Sequence, residues 1–217
     1  MIPLITPAIL TDKFNEFSEQ LKKVHNHFSS VQIDVMDGVF VDNKSFSERE
    51  ALNDMESEAY FELHLMVQNP LEELHTWANV ANVSSVIFHI ESNVEPLECI
   101  KSIRANNWRV GIALNPETSV KDVLPYLDLV DEIVCMTIHP GRQGAELVPE
   151  ALDKIAELKK IKNNITISAD GAINEQTIQS VVQAGADKLY VGSAIIKSDD
   201  VEAEHEKLVQ AIGEITI

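Results

Sequence analysis

The stretch Val-Gln-Ile-Asp-Val-Met at positions 31–36 alternates apolar and polar side chains and ends just before Asp37-Gly38. This spacing predicts a β-strand in which Gln32, Asp34 and Met36 share one face. A carboxylate on an inward face is unfavourable unless it is paired, hydrogen-bonded or bound to a metal ion. The stretch therefore predicts a strand that ends at a polar site, with a solvated loop cap as the alternative role of Asp34.

Apolar, β-branched runs of this kind alternate with amphipathic runs along the whole chain. Such alternation favours a parallel sheet with right-handed crossovers. About eight units in a chain of this length predict a single-domain (β/α)8 TIM barrel over residues 1–217, with an open doubly wound sheet as the rival. The predicted strands are Leu4–Leu10, Val31–Met36, Ala59–Met66, Ser85–Ile90, Arg109–Leu114, Glu132–Met136, Thr166–Asp170 and Lys188–Val191. The predicted helices are Phe14–His27, Leu71–Ala81, Pro96–Asn106, Glu146–Lys162, Glu175–Ala184 and Val201–Ile212, with a weakly marked one within Ser47–Met55.

The composition excludes several classes of protein. A net charge of −18 argues against nucleic-acid binding, although one amide-lined pocket would still bind a small phosphorylated molecule. The chain shows no signal-peptide pattern and no apolar run of about 20 residues, so we expect a cytoplasmic protein without a membrane span. Cys99 and Cys135 form no CxxC pair and predict free thiols in a reducing compartment.

Two further strand ends carry polar side chains that match Asp34. His64 lies two residues before the end of one predicted strand, and Asp170 closes another just before a glycine. A lone histidine is more often structural, but two aspartates and a histidine at one end of a barrel would bind a divalent metal or act as an acid–base pair. The methionines that end three strands, and that serve equally well as core filler, are Met36, Met66 and Met136.

Small residues follow the last three predicted strands. Glycines there allow backbone N–H groups to approach an anion, and barrels frequently bind phosphate with their last βα loops. Arg142 either contacts the anion or points to solvent. The predicted phosphate-binding residues are Gly141, Arg142, Gly144, Gly171, Ala172, Gly192 and Ser193.

Taken together, these segments resemble the ribulose-phosphate 3-epimerase family over essentially the whole chain. Their order and spacing carry the resemblance, which is more specific than any one segment. The matching stretches are Thr6–Leu10, Ile33–Asn43, His64–Met66, Leu114–Thr118, Met136–Gly141, Asp170–Asn174 and Gly192–Ile195.

The resemblance implies a (β/α)8 barrel that interconverts D-ribulose 5-phosphate and D-xylulose 5-phosphate by moving a proton at C3. It implies that Asp34 and Asp170 exchange protons with the substrate from opposite sides. A divalent metal, zinc or iron, is expected on Asp34, Asp170, His64 and the residue at position 32, where it stabilises a cis-enediolate. The strand-end methionines shield this intermediate and the late loops hold the phosphate. The expected partner is a small phosphorylated sugar, and a homo-oligomer is left open.

The chain departs from the family pattern at several positions. Gln32 stands where the family has a metal-binding histidine, so we expect weaker metal binding or a preference for an oxygen-preferring ion. Ala8 replaces a serine that contacts substrate. The loop His139–Ala145 displaces one glycine and a glutamine of the family's Asn-Pro-Gly-Phe-Gly-Gly-Gln. Ala172 replaces a second glycine after Asp170.

These departures keep two other functions open. Ala8 and the altered loop are compatible with 3-epimerisation of another ketose phosphate, such as a hexulose 6-phosphate. Gln32 and Ala8 are compatible with a sugar-phosphate-binding protein that no longer catalyses.

Overall fold

The computed structural model describes residues 2–140 and 145–213, in which eight parallel strands close into one barrel. Each strand pairs with the next along the chain, and the last pairs with the first. Closure confirms the predicted (β/α)8 barrel over the open sheet, which would leave two unpaired edges. The strands are β1 Leu4–Ile9, β2 Ser30–Met36, β3 Tyr60–Met66, β4 Val83–His89, β5 Arg109–Leu114, β6 Glu132–Met136, β7 Thr166–Asp170 and β8 Lys188–Val191.

Helices connect most of the strands. They are α1 Phe14–Val24, α2 Pro70–Trp77, α3 Pro96–Ala105, α4 Glu150–Ile161, α5 Ile178–Gln183, α6 Ser193–Ile196 and α7 Val201–Ile212. Several are shorter than predicted. For example, α4 begins at Glu150 and not at Glu146, because Pro149 precedes it and proline suits the start of a helix.

Two connections are 3₁₀-helical. The weakly marked helix predicted within Ser47–Met55 is a 3₁₀-helix at Arg49–Asp54. After β5 the chain forms two single 3₁₀ turns, Val120–Asp122 and Leu124–Tyr126, the second of which has a proline near its start. Such short 3₁₀ pieces are common connectors, because they need no extended amphipathic pattern.

Buried apolar side chains form two layers on either side of the strands. The outer layer fills the space between the barrel and its helices and includes Phe17 of α1 and Trp77 of α2. The inner layer fills the barrel itself, and it consists of Ala8, Ile87, Ala113, Val134, Met136 and Tyr190. The interior of the barrel is therefore a packed core and not a channel.

Beneath this inner layer lies a buried polar cluster, here called the floor network, which consists of Glu62, Glu132, Ser168, Lys188 and Tyr190. The Lys188 ammonium binds the Glu62 carboxylate and lies 3.6 Å from Oε2 of Glu132. The Tyr190 hydroxyl lies 2.7 Å from Oε2 of Glu62 and 2.9 Å from Oε1 of Glu132. Ser168 donates to Glu132. The network closes the amino-terminal end of the barrel with paired charges.

Across the described residues, no helix is both long and apolar enough to cross a lipid bilayer. Cys99 and Cys135 are buried and free, as the sequence predicts. Burial raises the pKa of each thiol to about 12, so neither is a reactive thiolate at neutral pH.

Candidate active site

The carboxyl ends of β2, β3 and β7 bring Asp34, His64 and Asp170 together. Asp34 and His64 are paired in register across β2 and β3, and Asp170 is the last residue of β7. One nitrogen or oxygen atom from each side chain lies within 4.8 Å of the other two. Strand alternation turns all three side chains into the barrel, on the face where such barrels build active sites.

The side-chain amide of Gln32 bridges the two aspartates. Its Nε2 donates to Oδ1 of Asp34 at 3.0 Å and to Oδ2 of Asp170 at 2.7 Å. Its Oε1 is buried and has no hydrogen-bond partner among the described residues. Gln32 therefore gives both amide hydrogens to the carboxylates and leaves one acceptor unsatisfied.

His64 contacts the same two carboxylate oxygens from its own strand. Its Nδ1 lies 3.1 Å from Oδ1 of Asp34 and 3.2 Å from Oδ2 of Asp170. Burial alone would lower the pKa of His64, but the hydrogen bonds and charges of the two aspartates raise it to about 10. In the absence of a cation, His64 is thus an imidazolium that offsets the paired carboxylates.

Asp34, His64 and Asp170 all line the cavity above the cluster, and the two aspartates are its more exposed members. Their side chains are 12% and 13% exposed, against 1% for His64. Burial raises the pKa of Asp34, and the neighbouring charge of Asp170 acts in the same direction. A raised pKa suits a carboxyl group that must both take and return a proton near neutral pH.

Behind His64 lies a second histidine, His89, at the end of β4. The Nε2 atoms of the two rings are 2.9 Å apart, and Nδ1 of His89 lies 3.2 Å from Oε2 of Glu91. Alternation places His89 and Glu91 on one face, but their spacing alone assigns them no role in the sequence. The structure links them to the aspartates through His64.

A cavity of about 170 Å³ lies over the cluster. Met66 and Met136 line it, whereas Met36 is buried at the end of β2 and is not among the lining residues. The late-loop residues on its wall are Gly171, Ala172, Gly192 and Ser193. Asn174 and Tyr190 also line it, and sequence spacing gives no signal for either. Among the described lining residues none is Lys or Arg.

The turn after β7 has an unusual backbone that brings it close to the site. Gly171 has φ +115°, and a Cβ there would lie 2.4 Å from Cγ1 of Ile138. The next residue, Ala172, has φ +52°, a left-handed conformation that L-residues adopt at a cost. Glycine is therefore required at position 171, and Ala172 stands where a glycine would be relaxed.

Three of the predicted phosphate-binding residues lie outside the described residues. Gly141, Arg142 and Gly144 belong to the segment 141–144, between Pro140 and Ala145. Pro140 and Ala145 themselves line the cavity, so the chain enters and leaves this segment beside the site.

The donor chemistry of the cluster fits a divalent cation. Two carboxylates and one imidazole at this separation are a common ligand set for such an ion. The buried, unpartnered Oε1 of Gln32 would supply a fourth oxygen after a half-turn of the amide. Asp34, His64 and Asp170 are therefore the residues that would hold the ion, with Gln32 as a weaker fourth contributor.

Comparison with known proteins identifies the family. The model of the ribulose-phosphate 3-epimerase family matches residues 4–196. The chain belongs to this family. Membership makes it an isomerase of the epimerase class, as the sequence predicts.

Ribulose-phosphate 3-epimerases from several organisms align along most of the chain. The Mycobacterium tuberculosis (strain H37Rv) epimerase is 32% identical and aligns over 97% of this chain and 93% of its own length. The epimerase of Treponema pallidum is 33% identical over 88% of this chain and 89% of its own length. Among solved structures, 3-hexulose-6-phosphate synthase from Salmonella typhimurium superposes with a TM-score of 0.72 over 96% of this chain and 98% of that one. At 17% identity that likeness shows the fold alone.

Proposed function

We propose that this protein is a pentulose-phosphate 3-epimerase that interconverts D-ribulose 5-phosphate and D-xylulose 5-phosphate. One observation carries the proposal: Asp34 and Asp170 meet beside His64 at the base of a cavity with small late-loop residues on its wall. A pair of carboxylates is what a two-base epimerisation requires. Family membership supplies the substrate class.

The reaction follows from the two carboxylates. The ionised aspartate takes the proton from C3, and the electron pair of the broken C–H bond moves toward the neighbouring carbonyl to give an enediolate. The other aspartate then delivers its proton to the opposite face of C3, which inverts the centre. At the end the two aspartates have exchanged protonation states, so atoms and charge balance.

A divalent cation held by Asp34, His64 and Asp170, expected to be zinc or iron, would stabilise the negative charge that develops on the sugar oxygens. Gln32 supports weaker retention of that ion, because its amide nitrogen already occupies the same carboxylate oxygens. Met66 and Met136 exclude water from the reacting carbon.

The phosphate is assigned to the late loops. With no Lys or Arg among the described lining residues, the donors proposed for the phosphate are backbone N–H groups near Gly171 and Gly192 and the hydroxyl of Ser193. Arg142 stays a predicted contributor. The acidic chain would thus bind its anion through a small local site. A cytoplasmic location also stays a proposal, supported by a rice relative whose name includes "cytoplasmic isoform".

The decisive experiment is proton NMR of ribulose 5-phosphate with the purified protein in D₂O, with and without added zinc or iron(II). We expect deuterium at C3 and the appearance of xylulose 5-phosphate. Asp34→Asn and Asp170→Asn should each slow the exchange by about 10²- to 10⁴-fold. Exchange only with a hexulose 6-phosphate would assign the other substrate, and binding without exchange would make the protein a non-catalytic relative.

A further inference from the structure

A line of hydrogen-bonded groups runs from the two aspartates through His64 and His89 to the loops that follow β4 and β5. His64 contacts His89 through Nε2, and His89 contacts Glu91 through Nδ1. His89 is fully buried and is not among the residues that line the cavity. Whatever His89 does for the site, it therefore does through His64.

Glu91 is the fixed end of this line. Its Oε1 accepts hydrogen bonds from the backbone N–H of Asn115, at 2.8 Å, and from the hydroxyl of Thr118. Burial would raise the pKa of Glu91, but the contacts with His89 and these donors lower it. Glu91 is thus a carboxylate that can only accept, so Nδ1 of His89 must donate to it.

The proton positions in the two rings follow from this anchor. Two ring nitrogens 2.9 Å apart need one hydrogen between them, since two protonated nitrogens would repel. If His89 carried a second proton, the positive charge of its ring would lie beside the one carboxylate of Glu91. The same proton on His64 places the charge beside the two carboxylates of Asp34 and Asp170. Nε2 of His64 therefore donates and Nε2 of His89 accepts.

This arrangement leaves Nδ1 of His64 as the atom that serves the aspartates. With Nε2 committed to His89, Nδ1 either shares its hydrogen with both carboxylates or offers a lone pair to a cation. The ring keeps one orientation in both states. An outer hydrogen-bond partner that fixes a ligand histidine commonly changes metal affinity or activity by about 10- to 100-fold when it is removed.

Ring contacts hold the same geometry. The ring centroids of His64 and His89 are 5.1 Å apart and the ring planes are inclined by 20°, so the rings meet edge to edge through their Nε2 atoms. The ring of Phe40, from the loop after β2, lies 4.8 Å from that of His89. The contact with Phe40 and the burial of both histidine rings keep competing water away from the hydrogen bond between them.

We infer that Glu91 and His89 are positioning residues that hold His64 with Nε2 protonated and Nδ1 turned toward Asp34 and Asp170. The kinetic consequence rests on the proposed function, whereas the proton positions do not. The two are therefore tested separately.

The proton positions are tested by ¹⁵N NMR of the histidine side chains in the full-length protein at pH 7.5, with EDTA present. We expect Nε2 of His64 to show a protonated-type shift and Nε2 of His89 an unprotonated-type shift. Glu91→Gln, which keeps the size of the side chain, should mix the two tautomers of His89. The reverse assignment in the wild type, or no change in Glu91→Gln, would overturn the inference.

The kinetic consequence is tested by C3 proton exchange. Glu91→Gln should lower kcat about 10-fold or more with KM changed less than about twofold, because Glu91 acts through His64. His89→Gln, whose oxygen can accept from Nε2 of His64, should retain more activity than His89→Leu. The control is His75→Gln on the exposed face of α2, which should change nothing. Equal loss in both His89 variants would mean a packing role only, and a wild type without any exchange would refute the proposed function but not the tautomer assignment.

Discussion

The amide nitrogen of Gln32 lies 2.7 Å from Oδ2 of Asp170, although the two residues are 138 positions apart in the chain. The same nitrogen donates to Asp34. A neutral amide thus occupies the carboxylate oxygens that a divalent cation would use. Because a hydrogen bond from an amide offsets far less charge than a metal ion does, Gln32 holds the two aspartates together without matching a cation.

Gln32→His should therefore tighten metal retention. An imidazole at this position adds a nitrogen ligand for zinc or iron and removes the competing amide. We expect at least about a tenfold lower Kd and faster turnover. The measurement is metal content after dialysis together with isothermal titration of the zinc-free protein.

Gln32→Leu is the matched control, because it removes the amide without adding a ligand. It should leave the two aspartates without their bridge and should not gain zinc affinity as the histidine variant does. If the histidine and leucine variants retain zinc equally, position 32 does not contribute to the metal site.

The histidine between the aspartates should make stability fall at high pH in the metal-free protein. A group whose pKa is higher in the folded state stabilises the fold below its unfolded pKa, and that stabilisation is lost as pH rises through the folded pKa. For His64 this window runs from its ordinary value of 6.5 to about 10. We expect a loss of about 3–4 kcal/mol between pH 7 and pH 10.

Urea unfolding with EDTA present measures this effect. The free energy of unfolding of His64→Gln should differ less between pH 7 and pH 10 than that of the wild type. An equal pH dependence in the wild type and in His64→Gln would show that other groups account for the high-pH loss.

The floor network should depend strongly on its one cation. Lys188→Met would leave Glu62 and Glu132 buried with the neutral hydroxyls of Tyr190 and Ser168 as partners and no cation. Breaking a buried ion pair from one side typically lowers the free energy of unfolding by about 3–5 kcal/mol, because the remaining charge is uncompensated. Lys159→Met is the control, since its partner Asp187 is about a third exposed and such pairs contribute roughly 1 kcal/mol or less.

The destabilisation caused by Lys188→Met should become smaller in acid. Burial would raise the pKa of Glu62, but Lys188 lowers it in the wild type. The lowered pKa contributes stability that is present above the ordinary value of 4.5 and is lost as pH falls. The difference between wild type and Lys188→Met should therefore shrink below pH 4.5, and a constant difference down to pH 3 would contradict this account.

The backbone at Ala172 offers a stabilising substitution. Its φ of +52° costs an L-residue about 1–2 kcal/mol, whereas glycine adopts it freely. After the greater entropy of glycine in the unfolded chain is subtracted, Ala172→Gly should raise the free energy of unfolding by up to about 1 kcal/mol. Thermal unfolding measures this change, and a lower midpoint would mean that the methyl group packs more favourably than the turn is strained.

The fold was largely predictable because the strands of a closed parallel barrel are buried on both faces and read as apolar runs. The predicted boundaries of β5, β6, β7 and β8 agree with the structure. The 3₁₀ connections after β2 and β5 were harder, because one or two turns leave no periodic pattern. The four-residue helix α6 is too short to show one.

The features of the site also fall into those that the sequence predicts and those that it does not. Asp34, His64 and Asp170 could be predicted because each lies at or near the carboxyl end of a strand, and the carboxyl ends of barrel strands share one face. The floor network could not be predicted from the sequence, since Glu62 and Lys188 come into contact only when the barrel closes. The direction of the Gln32 amide was also beyond the sequence, because it depends on two carboxylates from different strands.

The packed inner layer under the cavity separates the two aspartates from the opposite end of the barrel. In the described part of the molecule, the side chains of Ile87, Val134 and Tyr190 fill the path downward. A proton on either carboxyl group therefore reaches bulk water through the cavity mouth, which a bound sugar phosphate would fill. On the proposed chemistry, each turnover leaves the pair in the opposite protonation state from the one in which it began. The protonation state of the free enzyme then depends on which epimer was released last. At high sugar concentration, the return of the two carboxyl groups to their starting protonation state by exchange with solvent would limit the rate.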